Sequence, residues 1–237
     1  MNGTPALAIS FVDPERGLHG TARESFTLLF EDGEASSFAE PITVESGADG
    51  WLAHLPSDLH PAFRPLAPPV ELGGIRAHVC AMTTGTDSRV ALEGLGVVAE
   101  IHSPPRWSEL AATRYVCALF DAENAVVAFA RRPEGSAGHG DELVSGHLWA
   151  EGEWKGVETA RLSTIYDGEG RPRQASMELW LPAEDFPRRA FGHVMAGASL
   201  ALDGLDVHAA VFGWRMEQRE GAGLYELTVR EPAPAAA

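Results

Sequence analysis

The sequence is poor in positive charge. It has 237 residues with a single lysine, Lys155, among 18 basic residues, and 34 acidic residues give a formal net charge of −16. Nucleic acids and anionic membranes are bound through clustered cations, and no basic cluster is visible along the chain. We therefore expect neither nucleic acid nor a membrane surface as the main partner.

Long apolar runs and cysteines are also scarce. No segment approaches the ~18 continuous apolar residues typical of a spanning helix, and the first residues lack the basic start of a signal peptide. The two cysteines, Cys80 and Cys117, each lie in an apolar stretch. We expect a cytoplasmic protein without membrane insertion and with two buried free thiols, a disulfide being the alternative.

Motifs for metals and cofactors are missing. The nine histidines show no HExxH or HxH spacing, and the closest approach to a ligand pair, His139 and Asp141, lies in a sequence typical of a loop. No nucleophile elbow or glycine-rich phosphate loop occurs. The sequence predicts no metal and no cofactor.

Alternation with a period of two dominates the residues that are present. Residues 154–166 and 175–181 alternate between apolar and polar around a turn at 167–173, which predicts a β-hairpin. Three further hairpins are predicted around turns at 31–34, 121–124 and 219–223. A change of apolar parity near Gly94 indicates a β-bulge. Helical signals are limited to one or two turns within 106–113, and the proline-rich residues 55–74 are typical of an extended connection.

Both faces of the strand at 113–120 are apolar, which predicts a strand covered on two sides. In total, about twelve to fourteen short strands with hairpin turns predict an antiparallel all-β protein with little helix, built as one barrel or two linked halves. We expect an N-terminal β half-barrel over 1–103, a C-terminal β-barrel over 104–230 and a disordered tail at 231–237. No tandem repeat at solenoid or propeller spacing is found.

Aromatic residues supply the candidate ligand contacts. Tryptophans of a barrel line either the core or an apolar cavity, and core packing is the simpler interpretation. Trp107 is a candidate because it lies in an irregular segment between strands. The other aromatic candidates are Tyr115, Trp149 and Trp214.

Asp206 and His208 are the candidate catalytic pair. Both share a strand face with Phe212 and Trp214. If that face lines a cavity, burial would raise the pKa of the acid, which could then protonate an alkene or a carbonyl. If the face is solvated, the pair has no chemical role. Other acids on strands, including Glu226, are interpreted mainly as the solvated face.

The second half of the chain resembles the carotenoid 1,2-hydratases (hydroxyneurosporene synthases) of the lipocalin-like two-barrel superfamily. The resemblance lies in the glycine-led strand 146–149, the hairpin 164–173 (TIYDGEGRPR) and the strand 219–226. Upstream, the RWSEL stretch resembles a family element from which Trp107 and Arg114 carry over as ligand contacts. A proline occupies the place of that element's aspartate.

This resemblance implies lipocalin-like antiparallel barrels around a hydrophobic cavity and cofactor-free hydration, cyclisation or isomerisation of an isoprenoid-like or polyketide-like small molecule. A carrier for an apolar small molecule is the alternative, which the missing aspartate favours. A structural module with a filled interior is the third interpretation. A homodimer through an exposed edge strand is a further expectation about partners.

Overall fold

The computed structural model describes residues 5–136 and 138–230, which form an all-β structure. The first part of the chain contributes ten strands: β1 (Ala6–Asp13), β2 (Leu18–Arg23), β3 (Phe26–Glu31), β4 (Glu34–Phe38), β5 (Thr43–Gly47), β6 (Gly50–His54), β7 (Pro61–Pro65), β8 (Val70–Glu71), β9 (Ile75–Thr84) and β10 (Glu93–Ile101). The second part contributes nine: β11 (Leu110–Asp121), β12 (Asn124–Pro133), β13 (Leu143–Ala150), β14 (Glu153–Lys155), β15 (Thr159–Tyr166), β16 (Pro172–Trp180), β17 (Arg188–Leu202), β18 (Leu205–Met216) and β19 (Arg219–Arg230). A short 3-10 helix, His139–Asp141, precedes β13.

The strands form two antiparallel, curled sheets with the same connectivity. The first sheet has the order β4-β3-β2-β1-β10-β9-β7-β6-β5, with β8 beside β9, and the second has the order β14-β13-β12-β11-β19-β18-β17-β16-β15. In each sheet the first strand pairs with the last strand, and hairpins extend the sheet on both sides. Apart from β8, every strand of one sheet has a counterpart in the other. The predicted all-β fold of two half-barrels is confirmed, and it is a structural duplication.

Two pairs of equivalent residues show how closely the halves correspond. A Cβ atom added to Gly94 on β10 would lie 2.1 Å from the carbonyl oxygen of Val12. A Cβ atom added to Gly221 on β19 would lie 2.1 Å from the carbonyl oxygen of Leu119. In both halves, glycine thus lets the last strand approach the backbone of the first.

An approximate two-fold axis relates the halves where β1 faces β11. Ser10 lies two residues before Val12, and Cys117 lies two residues before Leu119, so the two are equivalent. Their side chains are in contact, with Oγ and Sγ 3.6 Å apart. The backbone N–H of Leu224 also donates to Cys117 Sγ, at 3.3 Å. Both side chains are buried, so the axis passes through the packed layer between the sheets.

Three apolar clusters hold the structure together. One lies between the sheets and contains residues of both halves; we call it the central layer. The other two lie on the opposite side of each sheet, within its curl. In β11, Cys117 and Leu119 belong to the central layer, whereas Val116 and Ala118 belong to the second sheet's own cluster. The prediction that this strand is covered on both faces is confirmed.

Three of the four predicted hairpins are confirmed as β3–β4, β11–β12 and β15–β16. The fourth, β18–β19, exists, but its turn was misplaced in the sequence prediction. The chain turns at residues 217–218, since Glu217 adopts a positive φ of 56° and Met216 pairs with Arg219. The glycine-containing residues 219–223, predicted as the turn, therefore lie inside β19.

The bulge predicted near Gly94 is wrong. Pairing between β10 and β9 runs without interruption from Glu93 to Ile101. The change of parity arises because Val90 and Leu92 precede the strand and do not belong to it. A register shift does occur elsewhere, in β17 between Val194 and Ala196.

Two further local predictions hold only in part. Residues 106–113 contain one turn, closed by a 2.8 Å hydrogen bond from Glu109 N–H to the Arg106 carbonyl, after which β11 begins at Leu110. The proline-rich residues 55–74 are not simply a connection, because they include β7 and β8. Proline is accepted there because Pro61 and Pro65 lie at the ends of β7 and pair only with β9, whereas β6 pairs with the middle of the strand.

The chain passes from one sheet to the other between β10 and β11. The domain boundary at 103/104 stays a prediction, and the predicted tail at 231–237 lies outside the described residues. Cys80 and Cys117 are buried free thiols, as predicted. Within the described ranges, no helix has the length and apolar character needed to cross a membrane.

Candidate functional site

A cavity of about 190 Å³ opens at one end of the central layer, which we call the first cavity. It lies on the approximate two-fold axis, because the start of β1 and the start of β11 face each other across it. Its walls come from both sheets and from the segment that links them. Its polar and aromatic lining includes Arg23, Trp107, Tyr115, Glu226 and Thr228.

An ion pair crosses this cavity from one sheet to the other. The guanidinium of Arg23, at the end of β2, donates to the carboxylate of Glu226 on β19. The Glu226 side chain is 6% exposed and that of Arg23 is 33% exposed, so the carboxylate is the more desolvated partner. Thr228 Oγ1 donates a second hydrogen bond to Glu226, at 3.3 Å. The cavity therefore presents a buried, doubly hydrogen-bonded carboxylate.

Tyr115 supplies a phenol beside this pair. Burial is the main reason why the pKa of Tyr115 lies well above its usual value, and Cys117 adds to the shift, so the phenol is neutral at physiological pH. No described group hydrogen-bonds its hydroxyl with good geometry, although Ser10 is near enough to lower the pKa slightly. A neutral phenol without a good partner keeps an unused hydrogen-bond donor.

Most of the remaining lining is apolar, apart from Ser25, Thr113 and Asp203, and part of it comes in equivalent pairs from the two halves. Ile75 on β9 and Val207 on β18 occupy matching positions, and both line the cavity. The polar members break this symmetry, because Tyr115 and Glu226 have no polar counterpart in the first half. Their equivalents by register are Ala8 and Ala99, which line the same cavity.

The structure brings together two of the five predicted ligand-binding residues. Trp107 and Tyr115 both line the first cavity. Trp107 is half-buried, and its carbonyl accepts a 2.6 Å hydrogen bond from Arg230. This contact fixes the segment between the sheets against the end of β19.

Arg114 lies apart from the first cavity, because neighbouring residues on β11 point to opposite faces. Its guanidinium is 1% exposed and pairs with Glu142, which is 2% exposed. It also donates to Thr164 Oγ1 and to the Leu162 carbonyl, each at 2.9 Å. This network attaches the segment after the 3-10 helix to β11 and β15.

The network continues through Thr164 and His139. Thr164 Oγ1 lies 2.7 Å from the hydroxyl of Tyr225, and His139 Nδ1 lies 2.7 Å from the second carboxylate oxygen of Glu142. Burial is the main reason why the pKa of Tyr225 is raised, while nearby Arg114 opposes the shift. These groups are already paired with one another, which indicates a structural role.

Trp149 and Trp214 are packed in apolar clusters away from the first cavity. Trp149 belongs to the central layer, packs against Trp154 with ring centres 5.2 Å apart, and donates to the Ala122 carbonyl at 3.2 Å. Trp214 belongs to the second sheet's own cluster and stacks on Phe212 at 5.5 Å. Their assignment as ligand contacts stays a prediction.

Asp206 and His208 do not line the first cavity, which instead receives Leu205 and Val207 from the opposite face of β18. His208 Nδ1 lies 2.7 Å from Ser199 Oγ, and burial lowers the pKa of this imidazole, against a smaller opposing effect of Asp206. Both residues are half-buried. The catalytic role of this pair stays a prediction.

Sequence reasoning missed Arg23 and placed Glu226 on the solvated face. Alternation puts Glu226 on one face with Leu224 and Thr228, but it cannot show that a second sheet covers that face. The informative signal is that this face of β19 also carries apolar residues. No group of three or more His, Cys, Asp or Glu residues in the described ranges is placed to hold a metal ion.

Comparison with solved structures identifies the architecture. CghA in complex with Sch210972 superposes with a TM-score of 0.60 at 11% identity, over 96% of this chain and 88% of the other. Kievitone hydratase from Nectria haematococca gives 0.61 at 8% identity, over 97% and 90%. A candidate AttH from Nitrosomonas europaea gives 0.59 at 12% identity, over 94% and 91%.

The chain has the two-barrel, lipocalin-like fold of these proteins. The fold that the sequence resemblance implied is thereby confirmed. No protein-family model matches the sequence, and no curated protein matches it. Because the identities are low, the likeness concerns the fold, and any activity has to be argued from the residues of the site.

Proposed function

We propose that this protein is a cofactor-independent hydratase, cyclase or isomerase that acts on a hydrophobic small molecule in the first cavity. The observation that carries the proposal is the neutral phenol of Tyr115 beside the buried Arg23–Glu226 pair, in a cavity whose lining is mostly apolar. Paired groups of this kind perform general acid–base chemistry when a substrate is held between them. A hydratase among the proteins of the same fold adds support.

The acid strength of the groups narrows the substrate class. A phenol whose pKa is raised by burial is too weak an acid to protonate an isolated alkene, but it stabilises charge that develops on a carbonyl oxygen. The substrate would therefore carry a carbonyl conjugated to a double bond. Isoprenoid and polyketide ketones contain this group.

For hydration, the proposed roles can be written step by step. Glu226 accepts a proton from water while the water oxygen bonds to the β carbon of the enone, and Tyr115 hydrogen-bonds the carbonyl oxygen on which negative charge develops. The α carbon of the resulting enolate then takes the proton back from Glu226. Arg23 positions the carboxylate throughout. Isomerisation would need only the removal and return of a proton by Glu226.

The size of the first cavity limits what it can enclose. An apolar cavity of ~150 Å³ binds benzene, so about 190 Å³ accommodates one ring or a short branched chain. A larger substrate would place its reacting end inside and extend past Trp107 and Pro105, which belong to the segment that links the sheets.

The experiment is a turnover assay on a panel of conjugated isoprenoid and polyketide ketones in ¹⁸O-labelled water. Hydration adds one labelled oxygen to the product, whereas cyclisation and isomerisation change its chromatographic retention time without changing its mass. We expect Tyr115→Phe and Glu226→Gln to lower kcat by about 10²-fold or more. Asp206→Asn tests the other candidate acid. Full activity in both first-cavity variants would refute the proposed roles.

A non-catalytic carrier is the second candidate, and one observation favours it. Glu226 is already bonded to Arg23 and Thr228, which suits a residue that fixes a ligand as well as one that moves a proton. Native mass spectrometry after mild purification distinguishes the two. A retained apolar molecule that never changes supports a carrier, and conversion of a panel compound contradicts it.

The other expectations from the sequence are also proposals. The free thiols Cys80 and Cys117 are compatible with a reducing, cytoplasmic compartment. The absence of a metal ion or a dissociable cofactor from the reaction can be tested by exhaustive dialysis with and without a chelator, which should leave turnover unchanged. A homodimer would be detected by sedimentation, and separate expression of residues 1–103 and 104–230 would test the domain boundary.

A further inference from the structure

A second cavity of about 370 Å³ lies at the opposite end of the central layer. It too lies on the approximate two-fold axis, because its walls include the equivalent residues Val12 of β1 and Leu119 of β11. Along β1, Val12 is four residues from Ala8 in the wall of the first cavity, a separation of about 13 Å. The buried contact between Ser10 and Cys117 lies between the two cavities.

His19 gives this second cavity a polar group without a partner. The residue is 4% exposed at the start of β2, and its Nδ1 atom is buried with no hydrogen bond to any described group. Burial lowers the pKa of His19, with Asp13 opposing the shift, so the imidazole is neutral at physiological pH. A buried polar atom without a partner is costly, and a bound molecule that completes it recovers that cost.

Asp13 does not complete His19. Its two carboxylate oxygens accept the backbone N–H groups of Arg16 at 3.2 Å and Glu93 at 3.1 Å. Apart from His19, the charged or polar side chain in the described lining is Glu220, which is exposed and lies at the rim. No side chain in the described lining therefore completes His19.

The approach to the second cavity is apolar. Met195 on β17 lines the cavity and is 52% exposed, and it also lines a surface groove that contains Phe191, which is 51% exposed. Met195 thus belongs to the lining of both the surface groove and the second cavity.

We propose that the second cavity is a ligand site for an apolar molecule of about two fused rings that carries one hydroxyl group, with His19 as the hydrogen-bonding partner. The volume is more than twice that of a cavity that binds benzene, and it falls in the usual range for small-molecule sites. A hydroxyl group can both donate and accept, so it satisfies either neutral tautomer of His19. This site is separate from the chemistry assigned to Tyr115 and Glu226.

The test compares 2-naphthol with naphthalene by calorimetry on the full chain. We expect 2-naphthol to bind more tightly than naphthalene, because it alone can complete His19. His19→Leu should weaken 2-naphthol about tenfold, the equivalent of one hydrogen bond, and leave naphthalene unchanged. His19→Gln, which keeps a hydrogen-bonding group, should retain most of the affinity.

Two controls place the binding within the molecule. Leu95→Trp fills the second cavity from a half-buried position and should abolish binding of both compounds. Glu226→Gln alters only the first cavity and should change neither affinity. Failure of the wild-type protein to bind 2-naphthol, equal affinities for the two compounds, or loss of binding in Glu226→Gln would overturn the proposal. None of these outcomes depends on turnover, so the proposed function stands or falls separately.

Discussion

Replacing Arg23 by methionine should destabilise the protein more than replacing its partner Glu226 by glutamine. The structure makes the pair asymmetric, because the Glu226 side chain is 6% exposed and the Arg23 side chain is 33% exposed. Removing the arginine leaves a desolvated carboxylate with Thr228 as its remaining hydrogen-bond donor. Removing the carboxylate leaves a guanidinium that water can still reach.

The magnitudes follow from this difference in burial. Breaking a buried ion pair by removing one partner costs about 3–5 kcal/mol, and the partial exposure of Arg23 places Arg23→Met near the lower limit, at about 3 kcal/mol. Glutamine at 226 keeps an acceptor for Arg23 and Thr228, so we expect a loss of about 1 kcal/mol. A difference of about 2 kcal/mol separates the two variants.

Urea unfolding followed by the fluorescence of the six tryptophans measures this difference. For a slope of ~2 kcal/mol/M, Arg23→Met should lower the midpoint by about 1.5 M, with an unchanged slope. Arg89→Met is the control, because Arg89 and Asp58 form a 3.0 Å ion pair in which both side chains are largely exposed. Loss of this exposed ion pair should cost less than about 1 kcal/mol of stability. If Arg23→Met were no more damaging than Glu226→Gln, the carboxylate would not be desolvated, and the description of the first cavity would be wrong.

Three further predictions concern buried polar groups. Glu142→Gln leaves a fully buried guanidinium without its carboxylate and should cost about 3–5 kcal/mol by urea unfolding, whereas Glu134→Gln, at a half-exposed ion pair, should be nearly neutral. Burial raises the pKa of Cys80 to about 12 and also raises that of Cys117, so iodoacetamide at pH 8 should label neither in the native protein and both in denaturant; labelling of the native protein would contradict this. Burial lowers the pKa of His19 in the folded state, so the stability that the neutral imidazole contributes is complete above the unfolded pKa of about 6.5 and is lost as the pH falls through the folded pKa. Between pH 7 and pH 5, the urea midpoint of His19→Gln should therefore fall less than that of the wild type. Equal changes of the two midpoints with pH would refute the assignment.

The hairpins were predictable because their information is local. The β15–β16 hairpin follows from alternation on both sides of a turn rich in glycine, proline and aspartate. The two-sided burial of β11 was equally readable, since Val116 and Cys117 are both apolar and point to opposite faces. The turn between β18 and β19 was missed because Glu217 adopts a positive φ that its residue type does not suggest.

The candidate site depends on contacts between distant parts of the chain, which alternation alone cannot reveal. Arg23 and Glu226 are 203 residues apart and meet only because the sheets pack face to face. Trp107 was predictable because irregular segments between strands often carry sites. Tyr115 shares a strand with Arg114, and only the packing of the second sheet shows which of the two faces the first cavity.

The duplicated architecture has a consequence for how a binding site of this kind can diversify. In a symmetric pair of separate subunits, every substitution on the axis appears twice, so a charge placed there faces its own copy. In a single chain with two halves, each position on the axis can change alone. Here Glu226 occurs opposite Ala99 and Tyr115 opposite Ala8. A single chain with two equivalent halves can thus present different side chains on the two sides of one cavity, which a symmetric dimer cannot do on its axis.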